Sequence, residues 1–130
     1  MRPVTVAATQ MSCGWDVDAN IAKADALVRE AAAKGAQIIL IQELFERCYF
    51  CQKQIEGYMA FATQVDENPA IQHFSKVAAE LKVVLPISFY ERANNAFYNT
   101  VAEDIHEPRH DKAEDCTHIP DGPGYSEKFY

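Results

Sequence analysis

Glu43 stands just beyond an apolar run, in the stretch QIILIQELFERCYF that covers residues 37–50. Residues 38–41 have the character of a buried strand. In open α/β sheets, working groups lie beyond the carboxyl ends of the strands, where a rigid backbone aims them into a crevice. A carboxylate at the edge of apolar surroundings has its charged form disfavoured, which suits a general base working near neutral pH. Position alone leaves a second interpretation equally open, a loop glutamate in contact with solvent or Arg47.

Cysteines and histidines are the other residues that could do chemistry. Cys48 and Cys51 form a C-x-x-C, but the chain has no second pair at zinc-finger spacing. A weaker candidate combines Cys116 with His106, His110 and His118, in a segment without a sustained helical period. We therefore expect no metal and no cofactor, and we expect Cys13, Cys48 and Cys51 to be free thiols that pack as small hydrophobes.

Composition limits the class of protein. The 130 residues are 48% hydrophobic and 24% charged, which fits one globular unit with a modest core. A formal net charge of -7 argues against a nucleic-acid partner and tolerates a cationic ligand. No stretch approaches the roughly 18 apolar residues that span a bilayer, and MRPVTVAATQ lacks the apolar core of a signal peptide. We expect a cytoplasmic protein without a membrane partner.

The first elements should form a parallel β-α-β unit. Residues 4–9, VTVAAT, predict a strand buried on both faces near the centre of a sheet. Asp16 or Asp18 can cap a helix with apolar residues at helical spacing, and Gly35 ends it. Residues 37–42 then predict a second buried strand, which must position Glu43.

The second half continues the α/β pattern. A short helix is predicted near residues 53–62, and a longer one begins at the cap Asn68 with Pro69 in its first position. Residues 83–90 predict a strand in which Pro86 indicates a bulge or an edge. ERANNAF supplies turn residues before an antiparallel strand that starts at YNTVA. Residues 103–117 predict a solvated loop, and HIPDGPGY predicts a rigid turn.

Four stretches together resemble the carbon-nitrogen hydrolase (nitrilase) superfamily: VTVAATQM, IILIQELFERCYFCQ, LKVVLPISFYERANNAFYNTVA and HIPDGPGYSEKFY. The resemblance covers nearly all of residues 4–102 and 118–130. It implies an α/β fold, the incomplete N-terminal part of an α-β-β-α sandwich. Within the superfamily the chain is most similar to the branch that splits N-carbamoylputrescine into putrescine, carbon dioxide and ammonia during polyamine synthesis. The runner-up is another amidase activity, such as that of β-ureidopropionases.

The resemblance also assigns roles to residues. The family uses a glutamate, a lysine and a cysteine, which attacks an amide-like carbonyl to form a thioester. Glu43 falls on the glutamate, as general base, and Glu127 falls on a second glutamate that supports the site and helps to position a small cationic substrate. Cys116 occupies the position of the lysine and is not expected to replace it. The nucleophile lies on a later strand in relatives and has no counterpart here, so we expect this chain alone to be inactive.

The domain is therefore residues 1–130, a partial hydrolase domain with an atypical charged segment at 103–117. That segment is as long as its counterpart in relatives, but its residues are of a different character. A reading frame that is shifted and later restored would produce such a segment. The coding DNA tests this hypothesis, which fails if no single-base shift recovers a lysine-containing strand. The alternative function is a non-catalytic fragment that depends on a partner chain, and the superfamily's oligomers imply self-association.

Overall fold

The structure is a computed structural model that describes residues 3–104 and 116–118. In this part of the chain the strands and α-helices follow in the order β1 (Val6–Ala8), α1 (Val17–Ala33), β2 (Ile38–Leu40), α2 (Pro69–Leu81), β3 (Leu85–Ala93), β4 (Ala96–Asp104) and β5 (Cys116–His118). Short 3-10 helices at Phe50–Gln52, Glu56–Phe61 and Val65–Glu67 lie between β2 and α2. The predicted alternation of strands and helices is confirmed.

The opening β-α-β unit is parallel, as predicted. Val6 lies opposite Ile38 in β1 and β2, and α1 makes the crossover. The backbone N–H of Ile39 then donates to Val84 O over 3.0 Å, which places the start of β3 beside β2. Backbone groups alternate along a strand, so the nitrogen of Pro86 faces the same side as that of Val84 and withholds no bond from β4. Pro86 therefore marks an edge rather than a bulge.

The second sheet has the order β3-β4-β5, antiparallel throughout. β3 and β4 pair without interruption from Leu85 opposite Asp104 to Ala93 opposite Ala96, so the turn is shorter than ERANNAF. Asn94 begins this turn with φ of 57°, a left-handed conformation that asparagine tolerates. The prediction of a loop at 103–117 is wrong at both ends, because β4 includes 103–104 and β5 begins at Cys116. Residues 105–115 lie outside the described residues.

Both α-helices begin at the predicted caps and pack on one face of the sheet. Asp16 accepts from the N–H of Ala19 at 3.0 Å, and Asn68 accepts from that of Ile71 at 2.9 Å. Gly35 follows the first helix with φ of 94°, a conformation that glycine adopts freely. The core joins the two helices to the sheet through the buried side chains of Ile21, Ala24, Val28, Phe74, Val77, Ile39, Leu85, Ile87 and Phe89. Among the described residues, neither α-helix combines the length and the apolar character that a membrane span requires.

The opposite face of the first sheet is exposed. Ala7 and Ile39 point towards the helices and pack in the core, whereas Val6 is 68% exposed and Leu40 is 50% exposed. The prediction that residues 4–9 are buried on both faces is therefore wrong. Apolar strand residues are buried only where a second layer covers them, and the described residues supply a layer on one side alone.

Candidate active site

Glu43 lies beyond the end of β2, as the sequence predicts. Its neighbours Ile41 and Phe45 are almost fully buried and anchor the segment in the core, while the side chain of Glu43 itself is exposed. The amide Nδ2 of Asn99, on β4, donates to Oε1 of Glu43 at 2.5 Å. Arg47 is engaged elsewhere, because its guanidinium carbon lies 4.5 Å from the centre of the Phe61 ring. Glu43 is thus a solvent-accessible carboxylate held by the sheet.

A ring of hydrogen bonds surrounds this contact. The backbone N–H of Leu44 donates to Ser88 Oγ at 3.1 Å, and Ser88 Oγ approaches Asn99 Oδ1 at 3.5 Å. Asn99 then donates from Nδ2 to Glu43. The ring starts at the backbone N–H of Leu44, the residue after Glu43, and ends at the Glu43 carboxylate. Each donor in it has an acceptor when the Asn99 amide is in this orientation, and not when the amide is flipped. The ring therefore fixes the position of the Glu43 carboxylate, as a group that transfers protons requires.

Leu44 holds the turn that presents Glu43. Its φ of 49° lies in the left-handed region, which is unfavourable for a side chain of this size. The conformation is held from both sides, because the N–H bonds to Ser88 and the side chain packs in a second core cluster with Phe50, Ala62 and Tyr90. Local backbone strain of this kind is typical of segments that present functional groups.

Gln42 fixes the segment on its other side. Its Oε1 accepts from the N–H of Met11 at 2.7 Å, and its Nε2 donates to the sulfur of Cys13 at 3.2 Å. Burial raises the pKa of the Cys13 thiol, the nearby Cys48 adds to the rise, and the positive charge of Lys23 only partly opposes it. A thiol that retains its proton is a poor nucleophile. Cys13 therefore packs beside the site as a structural residue and lacks the reactivity of an attacking thiol.

Glu46 is a buried carboxylate that the sequence reasoning missed. It is 8% exposed, and Asn68 Nδ2 donates to its two oxygens at 3.2 and 3.1 Å. Burial raises the pKa of Glu46, while the bond from Asn68, the charge of Arg47 and the N–H of Ala70 partly counteract the rise. The carboxylate thus lies at the N-terminus of α2, where the helix dipole favours negative charge. It links the segment after Glu43 to α2.

Of the predicted site residues, the structure describes Glu43 with its contacts and the backbone of position 116. Position 116, on β5, pairs with Ala102 of β4, the strand that also carries Asn99. Glu127, His106 and His110 lie outside the described residues, as does the side chain of His118. Among the described side chains of residues 3–102, no three His, Cys, Asp or Glu residues converge as metal ligands would.

The family model of carbon-nitrogen hydrolases matches residues 5–130. The chain belongs to the carbon-nitrogen hydrolase family. It is 50% identical to an N-carbamoylputrescine amidase of Arabidopsis thaliana and 38% identical to a citrullinase of Francisella tularensis, over 99% and 100% of the chain. The match spans 43% and 46% of those two relatives, so the chain corresponds to less than half of their length.

The solved structures agree on the fold. A carbon-nitrogen hydrolase of Helicobacter pylori superposes with a TM-score of 0.78 at 24% identity, over 98% of this chain and 43% of the other. The described α/β layer is therefore a partial hydrolase fold, as predicted.

Proposed function

We propose that this chain is the N-terminal part of a hydrolase that acts on N-carbamoylputrescine, with Glu43 as its general base. The observation that carries the proposal is the 50% identity with the Arabidopsis thaliana relative over 99% of the chain. The hydrogen-bonded position of Glu43 supports it, because a base must be held still within reach of the proton that it moves. A cytoplasmic location and a place in polyamine synthesis belong to the same proposal.

The chemistry of the substrate fits the chain. N-carbamoylputrescine has a terminal ureido group, whose C–N bond is cleaved, and an ammonium group at the other end. An acidic protein with a net charge of -7 attracts such a cation. Citrulline carries the same ureido group but adds a carboxylate beside its amine, and N-carbamoyl-β-alanine, the substrate type of a β-ureidopropionase, ends in a carboxylate. We therefore rank N-carbamoylputrescine first among these ureido compounds.

The chain by itself is proposed to be inactive. Position 116 carries a cysteine where the resemblance places the lysine, and no residue of the chain matches the attacking cysteine of the family. Loss of the nucleophile and of the oxyanion support removes most of the rate enhancement of such an enzyme. We expect no ammonia release above background when residues 1–130 are incubated with N-carbamoylputrescine.

A hybrid enzyme tests the proposal directly. In this hybrid, residues 103–117 are replaced by the aligned segment of the Arabidopsis thaliana relative, and the part of that relative beyond the match is added after Tyr130. The hybrid regains a lysine and a nucleophile while keeping Glu43, Ser88 and Asn99 from this chain. We expect it to release putrescine and ammonia from N-carbamoylputrescine, and to prefer that substrate to citrulline and N-carbamoyl-β-alanine. A folded hybrid without turnover would refute the proposed function.

The exposed apolar face favours a second candidate, a non-catalytic chain that pairs with a partner. Val4, Val6 and Leu40 are each at least half exposed at the first sheet, and such surface promotes association. The partner that fits is the remaining part of a carbon-nitrogen hydrolase domain, since the Helicobacter pylori structure contains more than twice the length that this chain matches. A monomer that stays compact and does not associate at high concentration would exclude this candidate.

A further inference from the structure

The ring at Glu43 contains two residues to which neither the sequence reasoning nor the family comparison gives a role. Ser88 lies on β3 and Asn99 on β4, and both side chains are buried, at 6% and 3% exposure. They project from the face of the sheet opposite the helices, since Phe89, next to Ser88, lies in the helix-facing core. Polar side chains at buried strand positions need partners, and these two find theirs in each other and in the Glu43 segment.

We propose that Asn99 is a positioning residue for Glu43, and that Ser88 positions Asn99; the catalytic part of this inference rests on the proposed function. Asn99 holds Oε1 of Glu43 through Nδ2, which leaves Oε2 of this exposed residue as the oxygen for proton transfer. Among the contacts of the described residues, Glu43 has a hydrogen bond at Oε1 and none at Oε2. The two oxygens thus have separate tasks, one in anchoring and one in proton transfer.

The geometry explains why an asparagine is required. Its amide offers a donor on one side and an acceptor on the other, and the ring uses both. Leucine has a similar shape but neither group, and aspartate keeps the acceptor while placing a second carboxylate against Glu43. Serine at 88 is equally specific, because its hydroxyl accepts from the N–H of Leu44 and donates towards Asn99. Alanine there would leave a buried N–H without its acceptor.

The contact itself is tested in the chain as it exists, by NMR of the side-chain amides. Glu43→Gln should move the hydrogen-bonded Nδ2 proton of Asn99 upfield and leave Asn68 unchanged. Glu46→Gln is the matched control and should do the reverse, because Asn68 donates to Glu46. If the Asn99 amide does not respond to Glu43→Gln, the proposal is overturned, whatever the activity of any hybrid.

The catalytic consequence is tested in the hybrid enzyme. Asn99→Leu and Asn99→Asp should each lower kcat about tenfold or more, since a small misplacement of a catalytic group is costly. KM should change by less than about threefold, because Asn99 has a positioning role and is not proposed to bind the substrate. Asn95→Leu, at the exposed hairpin turn, is the control and should leave both constants unchanged. If folded Asn99 variants keep the parent's kcat, or change KM alone, the positioning role is overturned. An inactive parent hybrid instead contradicts the proposed function, and the NMR result still decides the contact.

Discussion

Asn68 donates from one amide nitrogen to both carboxylate oxygens of Glu46, while its own carbonyl oxygen caps α2. One buried side chain therefore joins the segment that follows Glu43 to the start of a helix. The same nitrogen also donates to Thr63 at 3.0 Å. Because Asn68 and Glu46 are buried, each depends on the other for its hydrogen bonds.

Replacement of Asn68 should therefore destabilise the protein more than the loss of an ordinary cap. Asn68→Ala removes the cap, worth about 0.5–2 kcal/mol. It also leaves the Glu46 carboxylate without its side-chain donor, at a cost of about 1–3 kcal/mol. We expect the free energy of unfolding in urea at pH 7 to fall by about 2–4 kcal/mol. Asn95→Ala, in the exposed hairpin turn, is the control, and an equal small loss in both variants would contradict the linked role.

The pH dependence of stability should carry a contribution from Glu46. Burial raises the pKa of Glu46 in the folded protein above its ordinary value of 4.5. The folded state then binds the proton more tightly than the unfolded state, so this group lowers stability as pH rises from 4.5 through the folded pKa. Glu46→Gln should remove that contribution, and its stability relative to wild type should increase as pH rises. Urea unfolding at a series of pH values checks this, with the exposed Glu67→Gln as control; parallel curves would contradict it.

Asp25 should affect the pH dependence of stability in the opposite direction to Glu46. It lies between the two helices, with Oδ2 2.6 Å from His73 Nε2 and Oδ1 2.5 Å from Arg29 Nε. Burial alone would raise its pKa, but the bonds from His73 and Arg29 outweigh burial and hold the pKa below the ordinary value of 3.8. Its stabilisation is thus present above pH 3.8 and is lost as pH falls through the folded pKa.

Asp25→Asn should accordingly lower the free energy of unfolding by about 1 kcal/mol at pH 7, allowing for solvent screening. The difference from wild type should shrink once the pH drops below the folded pKa of Asp25. Glu30→Gln removes an exposed pair with Lys34 and is the matched control, with little expected change. A loss from Asp25→Asn that is equal at acidic and neutral pH would show that the contacts stabilise by shape rather than charge.

The exposed face should determine how the chain associates. Val6→Thr with Leu40→Thr keeps residues compatible with a strand but removes apolar surface. We expect weaker self-association by sedimentation velocity, with stability changed by no more than about 0.5 kcal/mol. The control Val28→Thr places a hydroxyl in the core and should lower stability by about 1–3 kcal/mol without changing association. Association that survives the surface variant would place the interface elsewhere.

The sequence predicted the elements whose signals are local. Asp16, Asn68 and Pro69 mark helix starts through hydrogen bonds and dihedral angles that involve neighbouring residues, and Gly35 marks an end in the same way. One prediction that failed, burial of residues 4–9 on both faces, depends on whether a second layer covers the sheet. Propensity and periodicity carry no information about whether such a layer is present.

In the candidate site, too, the sequence predicted what depends on local signals and missed what depends on long-range contacts. Glu43 could be found because a strand end and a family motif coincide there. Its partner Asn99 could not, because their contact depends on the register of β3 and β4 and joins residues far apart in sequence. Glu46 was missed because a glutamate in a charged stretch looks exposed, and only the packing of α2 against the Glu43 segment buries it. Both the contact of Asn99 with Glu43 and the burial of Glu46 result from long-range packing, which local sequence patterns do not encode.

The central claim is that Glu43 is the general base of a C–N hydrolase site, and its substitution in the hybrid enzyme tests this most directly. The measurement is kcat/KM for N-carbamoylputrescine, followed by putrescine and ammonia together, in the hybrid and in its Glu43→Gln variant. Loss of a general base typically costs about 10²–10⁴-fold, and we predict a decrease of at least about a hundredfold in a variant that remains folded. A Glu43→Gln hybrid with nearly full activity would contradict the account.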